Sequence, residues 1–151
     1  MKKTPLKRRT ALRSKTRLKK QGKQPISRLQ RELWELCKQL TRKRYGNTCY
    51  TCGKQNLEGS NWHTGHLIPK AALGAYQKYD LKVLRPQCYY CNINLGGNGA
   101  EFYRRMVQSE GSDYVQTLYE DRQKTVKAYD HYTKLIQDYQ AKIKALWLLL
   151  S

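Results

Sequence analysis

The apolar positions divide the chain into stretches of different period. Leu29, Leu33, Leu36, Cys37 and Leu40 recur three or four residues apart, the spacing that places side chains on one face of an α-helix. The pattern predicts order from about Pro25 and a helix over residues 27–44. Ser27 followed by Gln30 resembles a capping box at its start, and Gly46 lies just past its end. From Asn47 to Asn98 the helical period is lost, and short apolar steps alternate with glycines and polar turns. That texture predicts short strands joined by tight turns. The helical period then returns, predicting short helices over residues 101–108 and 113–120, divided by Gly111 and Ser112, and a long one over 125–149. Val126, Tyr129, Leu135, Ile136, Tyr139, Ile143 and Leu146 form the apolar stripe of that last helix. No internal repeat is evident beyond two cysteine pairs.

Residues 1–23 differ from all of this. They hold eleven Lys or Arg, no acid, and few apolar residues beyond Leu6, Leu12 and Leu18. Such a run buries too little apolar surface to fold alone and reads as a disordered basic arm. Arg8, Arg9 and Arg13 are candidate phosphate contacts there, adding affinity without selecting sequence; a solubilising tail is the alternative. The organisation is therefore an arm over 1–24, a core with its leading helix over 25–100, and a helical region over 101–151. A chain of 151 residues suits one domain with appendages, and its 39% hydrophobic share predicts a modest core that needs help.

Charge narrows the function. The formal net charge is +19, from 30 Lys and Arg against 11 acidic residues. Such a field attracts polyanions and releases their counterions, so nucleic acid is the expected partner and an anionic membrane surface the weaker alternative. The longest apolar run, residues 145–150, is six long, far short of the ~18–20 that span a bilayer. The basic N-terminus has no apolar stretch behind it and does not read as a secretory signal. A cytoplasmic location and reduced cysteines are expected.

Four of the five cysteines are spaced as metal ligands. Cys49-Tyr-Thr-Cys52 and Cys88-Tyr-Tyr-Cys91 form two Cys-x-x-Cys knuckles 35 residues apart. Each pair can turn its thiolates onto one ion, and together they complete a tetrahedral shell, with zinc preferred. A closed shell of four thiolates leaves no position for substrate, so this zinc is structural. Disulfides and a redox pair are the less favoured readings. Cys37, on the apolar face of the first helix, is read as a buried core thiol.

Between the knuckles lies Trp62-His63-Thr64-Gly65-His66-Leu67-Ile68-Pro69, and Asn92 directly follows the second pair. A His, a short apolar step and a Pro enclosed by two knuckles resemble the HNH, or His-metal finger, nucleases over residues 49–98. More narrowly, the chain resembles the lambdoid phage NinG (Rap) recombination endonucleases. The similarity includes the basic N-terminal part and the leading helix. It extends through Cys-x-x-Cys-Gly, Trp-x-x-Gly-His and Gln-Cys-x-x-Cys-Asn to Gly97-Asn98. It also resembles, more distantly, the endonuclease VII-type resolvases, which likewise place an Asn after the last zinc cysteine.

The resemblance implies an α+β fold with a zinc-stapled ββα-metal core flanked by helices. It implies metal-dependent, structure-selective cleavage of branched DNA, Holliday junctions or flaps, in the cytoplasm of a phage's host cell. His66 matches the general base, for which a near-neutral pKa is suited. Asn92 matches the amide that ligates a catalytic magnesium or manganese ion. Gly65 stands where many HNH enzymes carry an Asp ligand, and strand alternation makes His63 the candidate replacement. Val83 stands where the middle Asn of the HNH pattern usually braces the loop carrying the base. Arg85 is a candidate phosphate clamp, with a solvated surface Arg as the alternative, and Lys70 and Lys82 are further candidate DNA contacts. The rival readings are a non-catalytic zinc-ribbon DNA-binding protein and an RNA-binding protein that uses its twelve Tyr as stacking platforms. The long C-terminal helix packs either onto the first helix or against a second copy in a homodimer.

Overall fold

The computed structural model describes residues 23–122 and 124–148. The basic arm before Lys23, with Arg8, Arg9 and Arg13, lies outside the described residues, as does Leu149. The fold is mixed α+β. In chain order it runs α1 (Ile26–Tyr45), β1 (Trp62–His66), β2 (Leu84–Cys88), α2 (Gly99–Glu110), α3 (Ser112–Asp121) and α4 (Ala128–Leu148). Short 3-10 turns at Lys70–Ala72 and Leu81–Val83 shape the connection between the strands, and a π-helical turn, Tyr90–Asn94, follows β2.

Helix α1 buries the expected Leu29, Leu33, Cys37 and Leu40. Its start differs from the expectation. No side chain caps it; the Pro25 carbonyl accepts the amides of Arg28 and Leu29 at 3.0 and 3.4 Å, leaving the Ser27 hydroxyl no capping task. Its end is Gly46, whose φ of +70° takes the chain out of the helix while its N–H donates to the Arg42 carbonyl at 2.8 Å.

The strands pair antiparallel, with Trp62 opposite Cys88 and His66 opposite Leu84. Side chains alternate along a strand, so Thr64 and His66 share one face while His63 and Gly65 share the other. Helix α1 packs against both strands and against α4. The two helices run in the same direction: Lys23 lies over the Tyr129 ring, Gln140 donates to Glu32 at 3.0 Å, and Lys43 lies 4.2 Å over Trp147. Of the two settings expected for the C-terminal helix, the described structure has the one against α1. Its buried face is Tyr132, Ile136 and Tyr139. Val126 falls outside it because the helix begins only at Ala128, and Leu146 is exposed near its far end. One core joins α1, the sheet, α2, α3 and α4 around Leu33, Leu84, Phe102, Met106, Val115 and Ile136. A second, much smaller cluster holds Cys49, Leu57, Cys88 and Cys91. No helix among the described residues is long and apolar enough to cross a membrane.

Candidate metal centre and cleft

The small cluster is built by its thiols. Cys49 and Cys52 lie in the turn after α1, Cys88 ends β2, and Cys91 sits in the π-helical turn. Their four sulfurs lie within 4.8 Å of one another, and those of Cys52 and Cys88 are 3.8 Å apart. Four thiolates on a tetrahedral zinc at ~2.3 Å are about 3.8 Å from each other, so the set fits such an ion. The knuckle backbone supports it: the Cys91 N–H donates to the Cys88 sulfur at 3.4 Å, and Gly53, at φ +77°, donates to the Cys49 carbonyl at 3.0 Å. All five cysteines are free thiols. Burial pushes the Cys91 thiol up to about 12, so a cation must displace its proton. These four residues could hold a structural metal ion such as zinc. Cys37 stands apart, buried, its thiol donating to the Tyr79 carbonyl at 3.3 Å and pushed up to about 12, chiefly by burial.

Beside this centre a cleft of about 360 Å³ opens between α1, β1 and the turn after β2, lined by Trp34, Thr64, His66, Lys70, Asn92 and Gly97 among others. The expected pair, His66 and Asn92, is thus brought to one cleft. The His66 Nε2 lies 3.1 Å from the Lys78 carbonyl oxygen. A carbonyl only accepts, so Nε2 carries the proton and Nδ1 keeps its lone pair. The Trp34 indole stacks on the imidazole at 5.5 Å between centroids and 7° between planes. Burial, reinforced by the nearby Lys70 and Lys78 charges, holds the ring down at about 4 against the opposing pull of its hydrogen bond. It is neutral at pH 7.

The segment that orients His66 is itself pinned. Next to Lys78, the Tyr79 carbonyl accepts both the Cys37 thiol from α1 and the Tyr139 hydroxyl from α4, the latter at 2.8 Å. Lys70 enters the cleft with its ammonium 4.6 Å over Trp34 and 5.8 Å over Tyr79, and burial lowers its pKa.

Other candidates lie elsewhere. His63 is on the opposite strand face, its Nε2 donating to the Ser60 carbonyl at 2.9 Å and its ring meeting Tyr89 edge-on at 5.6 Å. The expectation that it ligates a cation beside Asn92 is not met by this geometry. Gly65 has a structural reason: a Cβ there would collide with the Gln87 carboxamide. The Gln87 Nε2 donates to the Gly97 carbonyl at 2.7 Å and the Thr51 hydroxyl at 3.1 Å, tying β2 to the glycine turn and the first knuckle. An Asp at 65 would break that tie. Val83 is wholly buried, and its carbonyl accepts the Leu67 N–H at 2.9 Å, so backbone closes the hairpin there. Lys82 is exposed at the turn before β2 and lies outside the cleft lining.

Arg85 is corrected. It is 2% exposed, and its guanidinium donates to the carbonyls of Lys82 and Leu84 and to Glu110 at 3.1 Å. The rings of Tyr45 and Tyr50 lie 4.5 and 5.5 Å away. It joins β2 to α2 and is closed to phosphate. Arg85→Ala is expected to lower stability by about 3 kcal/mol, from lost charged hydrogen bonds and packing. Urea denaturation checks this; an unchanged midpoint would refute a structural role.

Sequence reasoning missed Trp34, Thr64 and the Lys78 carbonyl. An indole one residue off the apolar stripe of α1 was the available signal for the first.

A family model described as Bacteriophage Lambda NinG protein matches residues 1–147. No curated protein and no solved structure matches the chain.

Proposed function

The chain belongs to the bacteriophage lambda NinG protein family, and from that footing we propose that it is a metal-dependent DNA endonuclease of the HNH, His-metal finger type. Its substrate on this reading is branched DNA, a Holliday junction or a flap, in phage recombination within the host cytoplasm. The observation that carries the reading is His66: a neutral ring whose proton is committed to the Lys78 carbonyl, in the cleft that also contains Asn92.

The chemistry follows from those placements. Nδ1 takes the proton of a water attacking the scissile phosphorus, and Lys78 with Trp34 keeps the ring in place while it does so. Lys70 draws the phosphate to the cleft. Asn92 would hold a magnesium or manganese ion, which when bound supplies charge to polarise the phosphate and stabilise the departing oxygen. The cleft adds the Thr64 hydroxyl but no carboxylate among the described residues, so such an ion depends on substrate phosphate and water for its other ligands. On this reading the two strands and the Asn92 turn would form the ββα-metal core, with the four cysteines holding zinc as its staple. The basic arm, with Arg8, Arg9 and Arg13, adds affinity for the DNA backbone.

The missing carboxylate is also what favours the rival, a non-catalytic zinc-ribbon nucleic-acid binder. End-labelled four-way junction, flap and linear duplex, incubated with and without magnesium or manganese, separate the two. Cleavage of the branched substrates only with the divalent ion is expected. Binding without cleavage under every condition would leave the rival.

A further inference from the structure

The turn that presents Asn92 also carries four exposed large apolar side chains. Within 89–95, Tyr89 is 48%, Tyr90 59%, Ile93 51% and Leu95 46% exposed. Large apolar side chains grouped in water mark a contact surface more often than chance. Their mount is firm. The Tyr89 N–H donates to the Asn61 side-chain oxygen at 3.1 Å, and the Cys91 N–H to the Cys88 sulfur at 3.4 Å. The Leu95 N–H reaches the Tyr90 carbonyl at 3.0 Å, the bond that sets these two residues one π-turn apart. His63 meets Tyr89 edge-on, which gives that histidine a buttressing position.

We propose that Tyr89 and Tyr90, flanked by Ile93 and Leu95, form a stacking platform for unpaired bases of a DNA strand whose backbone enters the His66 cleft. The inference rests on the nuclease reading above and adds what the site selects. Three features favour nucleic acid as the occupant. The platform and Asn92 share one short turn. The chain carries a net charge of +19, and Lys70 lies in the cleft. The most exposed of the four, Tyr90, is aromatic, as is the adjacent Tyr89, and every base offers a π-face to such a ring without regard to sequence. A paired duplex keeps its bases inside its own stack. Branch points, gaps and flaps release them, so the platform distinguishes DNA structure without reading base edges.

The test reads binding without added divalent cation, so its result is independent of cleavage. The full chain is titrated into a duplex with a central bubble, 2-aminopurine at an unpaired position, and into the matched duplex at the same salt. Wild type is expected to prefer the bubble by about tenfold, the scale of one stacked base, and to change the 2-aminopurine fluorescence. Tyr89→Ala and Tyr90→Ala are expected to lose both the preference and the optical change, with zinc content and duplex affinity retained. Tyr89→Phe and Tyr90→Phe keep the preference; Tyr90→Leu, apolar but not aromatic, loses it. Alanine variants with the wild-type bubble-to-duplex ratio, or a Leu variant that retains it in full, would overturn the platform. A protein that stacks bases yet never cuts would overturn the nuclease reading alone.

Discussion

Cleavage of a junction by His66→Ala is expected to fall by at least ~10²–10⁴-fold, the share a positioned base contributes, with zinc content and junction affinity preserved. The substitution removes Nδ1 but touches neither the thiols nor the turn that carries Asn92. Asn92→Ala is expected to be inactive as well, but to regain part of its rate in excess divalent ion, because it loses a ligand and keeps the base. Acidity supplies a second readout. As the proposed base, His66 would work in its deprotonated form, and burial holds its pKa at about 4. The rate constant kcat/KM, which reports the free enzyme, therefore rises with pH through about 4 and levels off well below the usual histidine range. His66→Ala erases that limb. Single-turnover cutting of labelled junctions measures both effects, and a His66→Ala protein that cuts at the wild-type rate would end the assignment.

Loss of one of the four clustered thiols is expected to remove the proposed zinc and unfold the region around the knuckles. The cluster there buries a single aliphatic side chain, Leu57, alongside its cysteines, with Trp62 packed partly against it. Burying one such side chain contributes about 2 kcal/mol, whereas a structural zinc contributes on the order of 10–16 kcal/mol in small sites. The metal term dominates. Cys91→Ala should abolish zinc binding and, because Asn92 is the next residue, activity with it. Cys37→Ser is the control, expected to keep one zinc per chain, since its thiol lies outside the cluster. Elemental analysis with near-ultraviolet circular dichroism decides the matter; a metal-free Cys91→Ala protein with the native spectrum would refute the staple.

How far the sequence could be read depended on whether a feature is local. The period of three and four located all four helices to within a few residues, because a stripe of Leu or Tyr carries its own geometry. The four clustered cysteines were legible for the same reason: two residues between thiols is itself a ligand spacing. His66 and Asn92 are 26 positions apart, and only the resemblance paired them. Features set by distant partners were not legible. Arg85 looked like a phosphate ligand until Glu110 and two tyrosines enclosed it. His63 and Gly65 were correctly placed on one strand face, but nothing local revealed that Gln87 fills the space beside Gly65. The capping box at Ser27 failed because the Pro25 carbonyl already takes the first amides.

The pairing of α1 with α4 has a consequence for biosynthesis. Gln140 and Glu32 are 108 residues apart in sequence, so the contact closes late in any folding order that proceeds from local to distant. A ribosome adds roughly 5–20 residues per second, and both knuckles have left it well before α4 follows. The Tyr139 hydroxyl that holds the Tyr79 carbonyl, next to the Lys78 carbonyl that orients His66, arrives only with that last helix. A nascent chain could therefore close its four-cysteine cluster while His66, the proposed base, is still unaligned. On the proposed reading, activity therefore waits for the final helix to dock.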